Sequence, residues 1–160
     1  IFNILGLFIC NLQILYMKMA QLSKTRVICD DPERIGKWVS KRTGTKWWCQ
    51  HAAIGFERDG ALVAGIVYDN FNGKNIFAHI AAVPNKRWLT KAFLRYMCHY
   101  PFNELKVNRV TGMIPCTNKA SIRFVEKLGA ELETTLKDAH PKGDLLVYRM
   151  IKKDCKYLGV

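Results

Sequence analysis

From residue 25 onward the spacing of apolar side chains switches at short intervals between the alternation of a strand and the three-or-four-residue recurrence of a helix. A short strand is predicted at 26–29. Asp30 or Asp31 then stands as an N-cap with Pro32 in the first helical turn, and Ile35, Trp38 and Val39 make one apolar face of a helix ending near Gly44. Two β-rich runs, 52–58 and 61–68, flank Asp59-Gly60, a pair suited to the positive φ angles of a two-residue hairpin turn. After a second turn at 70–75, residues 76–83 form a third strand with few polar side chains, which suits a place inside a sheet. His79 is its only ionisable residue.

Pro84 ends that strand, and Leu89, Phe93, Tyr96, Met97 and Tyr100 recur at helical spacing until Pro101 stops the segment. A strand at 109–114 leads through Pro115 to a helix from about Asn118, with Ile122, Val125 and Leu128 on one side and Gly129 as its terminator. Two closing strands follow at 131–137 and 145–152. Their connection, 138–144, reads as a polar loop long enough to carry function at the edge of a site. No repeat and no Pro-, Gly- or Ser-rich linker interrupts this order, so residues 19–160 are read as one domain. The uncharged run at 1–17 is too short for a spanning helix and lacks the basic start and cleavage site of a secretory signal. The expectation is that translation begins at Met17 or Met19 and that residues 1–18 are an apolar extension outside the fold.

At 160 residues, with 49% hydrophobic and 24% charged side chains, the chain suits one globular domain and excludes a disordered one. Twenty-five Lys and Arg against 13 Asp and Glu give a net charge of +12, which favours anionic partners. Charge alone does not choose among nucleotide cofactors, nucleic acid and acidic surfaces. The basic residues are spread along the chain, which favours a solvated, lysine-rich surface over a nucleic-acid footprint. Lys41-Arg-Thr-Gly-Thr-Lys-Trp-Trp48, with positive charge beside stacking aromatics, is the one segment that would suit a basic nucleic-acid-binding module. The 6 cysteines form no C-x-x-C pair and the 4 histidines no ligand spacing, so the reading is of reduced thiols, no metal and a cytoplasmic setting.

The segment Asn118-Lys-Ala-Ser121-Ile-Arg-Phe124-Val-Glu-Lys-Leu-Gly129-Ala, set after a strand and before two closing strands, resembles the GNAT N-acetyltransferase superfamily, over about residues 25–153. Lys86-Arg-Trp-Leu-Thr90, Tyr100-Pro-Phe102 and Gly143-Asp-Leu-Leu-Val-Tyr-Arg-Met150 look most similar to the GNAT proteins carried by bacteriophages and prophages, which would place the chain in a bacterial host cytoplasm. The resemblance implies an α/β (α+β) fold, a mixed, mainly antiparallel central sheet flanked by helices. It implies acetyl-CoA as donor, no metal, and direct attack by a primary amine. Dimers occur among such proteins.

By the same resemblance the strand at 76–83 splays from that at 109–114, and Ile80, Ala81, Ala82 and Val83 line the pantetheine arm. Asn85, Lys86, Arg87, Trp88, Leu89 and Thr90 then form the pyrophosphate loop before a helix N-terminus. Asn118, Ser121 and Phe124 face the cofactor from the helix that begins near Asn118. Where the family writes Q/R-x-x-G-x-G/A, this chain has no glycine; Lys86 and Arg87 supply charge and Thr90 a hydroxyl. His79 is the first candidate for the base that takes the amine proton, with Glu57, Asp69 and His140 as further candidates. The family's tyrosine acid is replaced by Val125, which leaves Tyr148, a water, or no acid at all to serve the departing thiolate. The competing expectation is a catalytically inactive GNAT-fold protein that serves as a binding or virion-associated component.

Overall fold

The computed structural model describes residues 24–45 and 51–158. The extension at 1–18 and the tryptophans Trp47 and Trp48 of the basic segment lie outside them. Strand β1 (Thr25–Ile28) leads to α1 (Pro32–Thr43), where Asp31 Oδ1 accepts the Arg34 N–H at 3.2 Å and Pro32 opens the first turn. Gly44, at φ 70°, closes the helix by donating its N–H to the Ser40 carbonyl. Strands β2 (Ala52–Arg58) and β3 (Ala61–Asp69) form the expected hairpin, with φ of 53° at Asp59 and 80° at Gly60. Helix α1 lies close against this hairpin because Gly55 and Gly65 face each other there. A Cβ at Gly65 would sit 2.9 Å from Val39 Cγ2.

Strand β4 (Asn75–Ala82) is followed by α2 (Lys91–His99), β5 (Arg109–Pro115), α3 (Lys119–Leu128), β6 (Glu131–His140) and β7 (Gly143–Ile151). The sheet order is β1-β2-β3-β4-β5-β7-β6, antiparallel throughout except where β4 runs parallel to β5. Helix α1 covers one face with Ile35 and Val39 against Ala53, Val67 and Ala81. The other face carries the larger core, in which Phe93, Met97 and Leu128 pack on Phe56, Ile66 and Ile76. Among the described residues no helix is long and apolar enough to cross a membrane.

Three details depart from the sequence reading. Pro101 does not stop α2: the chain continues through a π-helical turn at Tyr100–Glu104, closed by the Leu105 N–H to the Tyr100 carbonyl at 3.0 Å. The buried face of α2 is Phe93, Leu94, Met97 and Cys98, whereas Tyr96 and Leu89 are half exposed. The connection at 138–144 is not a long loop. Strand β6 extends to His140, a kink at Asp138 (φ 51°) shifts the register, and the turn is Pro141-Lys142.

Candidate active site

The parallel ladder between β4 and β5 holds at Asn75–Arg109, Ile76–Val110 and Phe77–Thr111, although β4 runs on to Ala82 and β5 to Pro115. Past Phe77 and Thr111 the strands therefore diverge and leave a gap in the middle of the sheet. Its closed end is clamped by the buried Thr111, whose hydroxyl donates to Asn75 Oδ1 at 2.7 Å and accepts from Arg109. Because strand side chains alternate, Ala78 and Ile80 face α2 and α3, while His79 and Ala81 face α1. Ala78 and Gly112, the first residues past the closed end, border an apolar cavity of about 60 Å³ that Val125 and Tyr148 also line.

On the opposite face, His79 Nε2 lies 3.0 Å from Asp69 Oδ1, and the pair is mostly buried. Two residues proposed separately from the sequence are thus brought together: β3 and β4 are antiparallel with Val67 opposite His79 and Asp69 opposite Phe77, so the pair is a diagonal one. The carboxylate fixes the ring orientation of an imidazole standing beside the gap.

Glu57 is placed elsewhere. It lies on β2, 5% exposed, with Oε1 2.7 Å from Arg34 and Oε2 3.0 Å from Arg26. The Arg34 hydrogen bond, with help from Arg26, holds its carboxyl below the usual carboxylate range even though burial works against this. A carboxylate so committed to two guanidinium groups is poorly suited to taking a proton. His140 sits at the β6–β7 turn, two strands from the gap, with Nδ1 accepting the Lys142 N–H.

Tyr148, on β7 opposite Gly112, is 3% exposed and donates its hydroxyl to Glu126 Oε1 at 2.8 Å. Burial, and then the Glu126 carboxylate, push its pKa above the ordinary phenol value. It enters the cavity wall beside Val125, the position at which the resemblance would have put a tyrosine.

The loop before α2 is divided in function. Lys86 and Arg87 are exposed and, with Arg58 and Thr90, border an open depression of about 600 Å³. Arg58 was not among the candidates read from the sequence. It reaches the loop because the β2–β3 turn ends beside it, and its guanidinium donates to the Arg87 carbonyl at 2.7 Å. Thr90 caps α2 by accepting the Phe93 N–H, and Asn118 caps α3 by accepting the Ser121 N–H at 3.1 Å. Trp88 turns inward. Its ring meets Phe124 of α3 edge-on at 5.2 Å between centroids and Phe93 of α2 at 6.1 Å. Since α2 follows β4 and α3 follows β5, this contact bridges the two helices over the strand gap. Ile80 is half-buried on the cavity side, Ala81 is buried toward α1, and Val83 donates its N–H to the Val63 carbonyl.

The described residues form a seven-stranded, mostly antiparallel sheet with one splayed parallel pair and three flanking helices, the fold of the GNAT acetyltransferases. Among solved structures, the spermidine N-acetyltransferase from Vibrio cholerae in complex with CoA and spermine matches with a TM-score of 0.64. That match covers 86% of this chain and 98% of that one at 11% identity. A structure described as a probable acetyltransferase matches with a TM-score of 0.62, covering 81% and 93%, at 18% identity. Ard1 from Thermoplasma volcanium gives 0.63, covering 79% and 97%, at 14% identity. No protein-family model matches the sequence, and no curated protein does.

Proposed function

We propose that the chain is an acyltransferase that moves an acetyl group from acetyl-CoA to a primary amine by direct attack. The observation that carries the reading is the gap between β4 and β5, open on one face to an apolar cavity and bordered on the other by the Asp69–His79 pair. A thioester lying in the gap would meet the backbone edge of β4 along Ile80, Ala81 and Ala82 and pass the side chain of Val83, whose N–H is given to Val63 on β3. Lys86, Arg87 and Arg58 would offer positive charge to a diphosphate, and α2 its N-terminal end. Asn118, Ser121 and Phe124 would face the arm from α3.

In the reaction the amine nitrogen bonds to the thioester carbonyl carbon, the C–S bond breaks, and the sulfur leaves as a thiolate. We assign His79 as the base that takes the proton from the amine, held in orientation by Asp69. Tyr148, kept protonated by burial, is assigned as the donor on the thiolate side, a role in which its hydroxyl turns from Glu126 to the departing sulfur. Glu57 has no step. Matches to spermidine acetyltransferases, one of them with CoA and spermine bound, support an amine as acceptor. The finer likeness to phage-borne proteins and a cytoplasmic site of action belong to the same proposal, as does a homodimer.

Acetyl transfer to an amine panel tests this, with His79→Ala expected to lower kcat/KM by about 10²–10⁴-fold while acetyl-CoA affinity stays within about twofold. Unchanged kcat/KM in the variant would remove His79 from the role. One observation favours a second reading, a GNAT-fold binding protein without catalysis: the Trp88–Phe124 contact lies across the corridor that the cofactor arm would use. Absence of binding by both acetyl-CoA and free CoA would decide for that reading.

A further inference from the structure

We propose that the transfer site takes acyl groups longer than acetyl, up to about four carbons, and prefers them. The inference rests on the acyltransferase reading and concerns the chain carried by the thioester. Protein interiors are packed as densely as organic crystals, with few voids larger than a water molecule. The cavity beside the gap nevertheless has about 60 Å³ of open space. At roughly 10–15 Å³ for each water-sized unit, that is room for about four to six such units, more than a single methyl group requires.

The walls decide what fills it. Ile66, Ala78, Ile80, Gly112, Val125 and Met150 supply apolar surface. The two phenols on the wall are turned to other partners, Tyr68 to the Met97 carbonyl at 2.6 Å and Tyr148 to Glu126 at 2.8 Å. Water needs two or more polar partners to be held, so a hydrocarbon chain suits this space better. The size of the void is set by small side chains at its mouth. A Cβ on Gly112 would meet nothing within 4 Å, so packing does not demand glycine there, and its effect is to leave the β5 wall open. On α3, Val125 is shorter by a whole ring than an aromatic residue at that place would be.

The position ties this space to the reacting atoms. Ala78 and Gly112 directly follow the last paired residues, Phe77 and Thr111. A thioester carbonyl at the gap, facing His79 on one side, has the cavity for its alkyl tail on the other. The bonds made and broken are those of the acetyl reaction: C–N forms, C–S breaks, and the thiolate departs. Each added methylene that enters apolar surroundings is worth about a fourfold gain in affinity.

The experiment is calorimetric titration of the full chain with free CoA and with acetyl-, propionyl-, butyryl- and decanoyl-CoA. The expected result is a Kd falling about fourfold per methylene from acetyl to butyryl, with decanoyl-CoA weaker than butyryl-CoA. Val125→Phe and Gly112→Val, checked for folding by thermal melting, should each bring the butyryl-to-acetyl ratio down to about one or below. Acetyl-CoA binding as tightly as butyryl-CoA in the parent chain overturns the inference and leaves the transferase reading standing. So does a ratio that neither substitution changes. Failure of every ligand to bind, free CoA included, overturns the transferase reading itself and this inference with it.

Discussion

Glu57 and Asp69 are both carboxylates that the family resemblance offers as bases, and their surroundings separate them. Asp69 faces an imidazole at the gap, whereas Glu57 faces two guanidinium groups at the α1 side of β2. Glu57→Gln should therefore lower stability by about 2 kcal/mol at pH 7, the worth of hydrogen bonds to a charged group, without touching transfer chemistry. The sign of its pH dependence follows from the lowered carboxyl pKa. The contribution is complete above the unfolded value of about 4.3 and is lost as pH falls through the folded value below it. Urea unfolding of both chains at pH 7 and pH 3 should show the gap narrowing at the lower pH. A gap of equal size at both would contradict the ion-pair account. At this scale the sequence offered His79, Asp69, Glu57 and Tyr148 by residue type and strand, but their partners were not legible, because each depends on a cross-sheet or helix-to-strand approach. Arg58 was missed for the same reason, since only the folded hairpin brings it to the loop before α2.

Elements whose ends rest on local chemistry were legible. Asp31, Pro32 and Gly44 bound α1, Asp59-Gly60 makes the hairpin, and Asn118 with Gly129 bounds α3, each through a contact within a few residues. The end of α2 was not. Proline usually stops a helix because it cannot donate to the carbonyl four residues back, here that of Met97. In this fold the buried Tyr68 hydroxyl, from β3, donates to that carbonyl at 2.6 Å, and the chain passes into a π-helical turn instead. Tyr68→Phe should cost about 1–2 kcal/mol by leaving the carbonyl without its partner, seen as a lower urea midpoint with an unchanged slope. A second element-scale prediction concerns the bridge between α2 and α3. Trp88→Ala removes a half-buried ring and should lower stability by about 2 kcal/mol, less than a fully buried tryptophan would. If the Trp88–Phe124 contact restricts the corridor, the same substitution tightens acetyl-CoA binding. Weaker binding would make Trp88 part of the cofactor wall instead.

At the scale of the whole molecule the decisive feature is the one register that stops short. The order of elements along the chain was legible from the alternation of strand and helix patterns, and the mixed sheet and the splay of β4 from β5 from the family resemblance. The sheet order β5-β7-β6 and the parallel β4–β5 pairing were not, because they depend on contacts between distant segments. The point at which β4 and β5 part is set by Thr111, Asn75 and Arg109 acting across strands far apart in sequence. That divergence turns a continuous sheet into a slot with two chemically different sides, an apolar cavity toward α2 and α3 and an Asp–His pair toward α1. The net charge of +12 adds long-range attraction for an anionic ligand, with Arg58, Lys86 and Arg87 gathered at the loop before α2. Hydrogen-exchange mass spectrometry with and without acetyl-CoA tests the slot most directly. The account predicts new protection in the amides of residues 78–82 and 112–114, with β1 and β2 unchanged. Binding that protects other strands and leaves these amides as they were, or no binding at all, would contradict it.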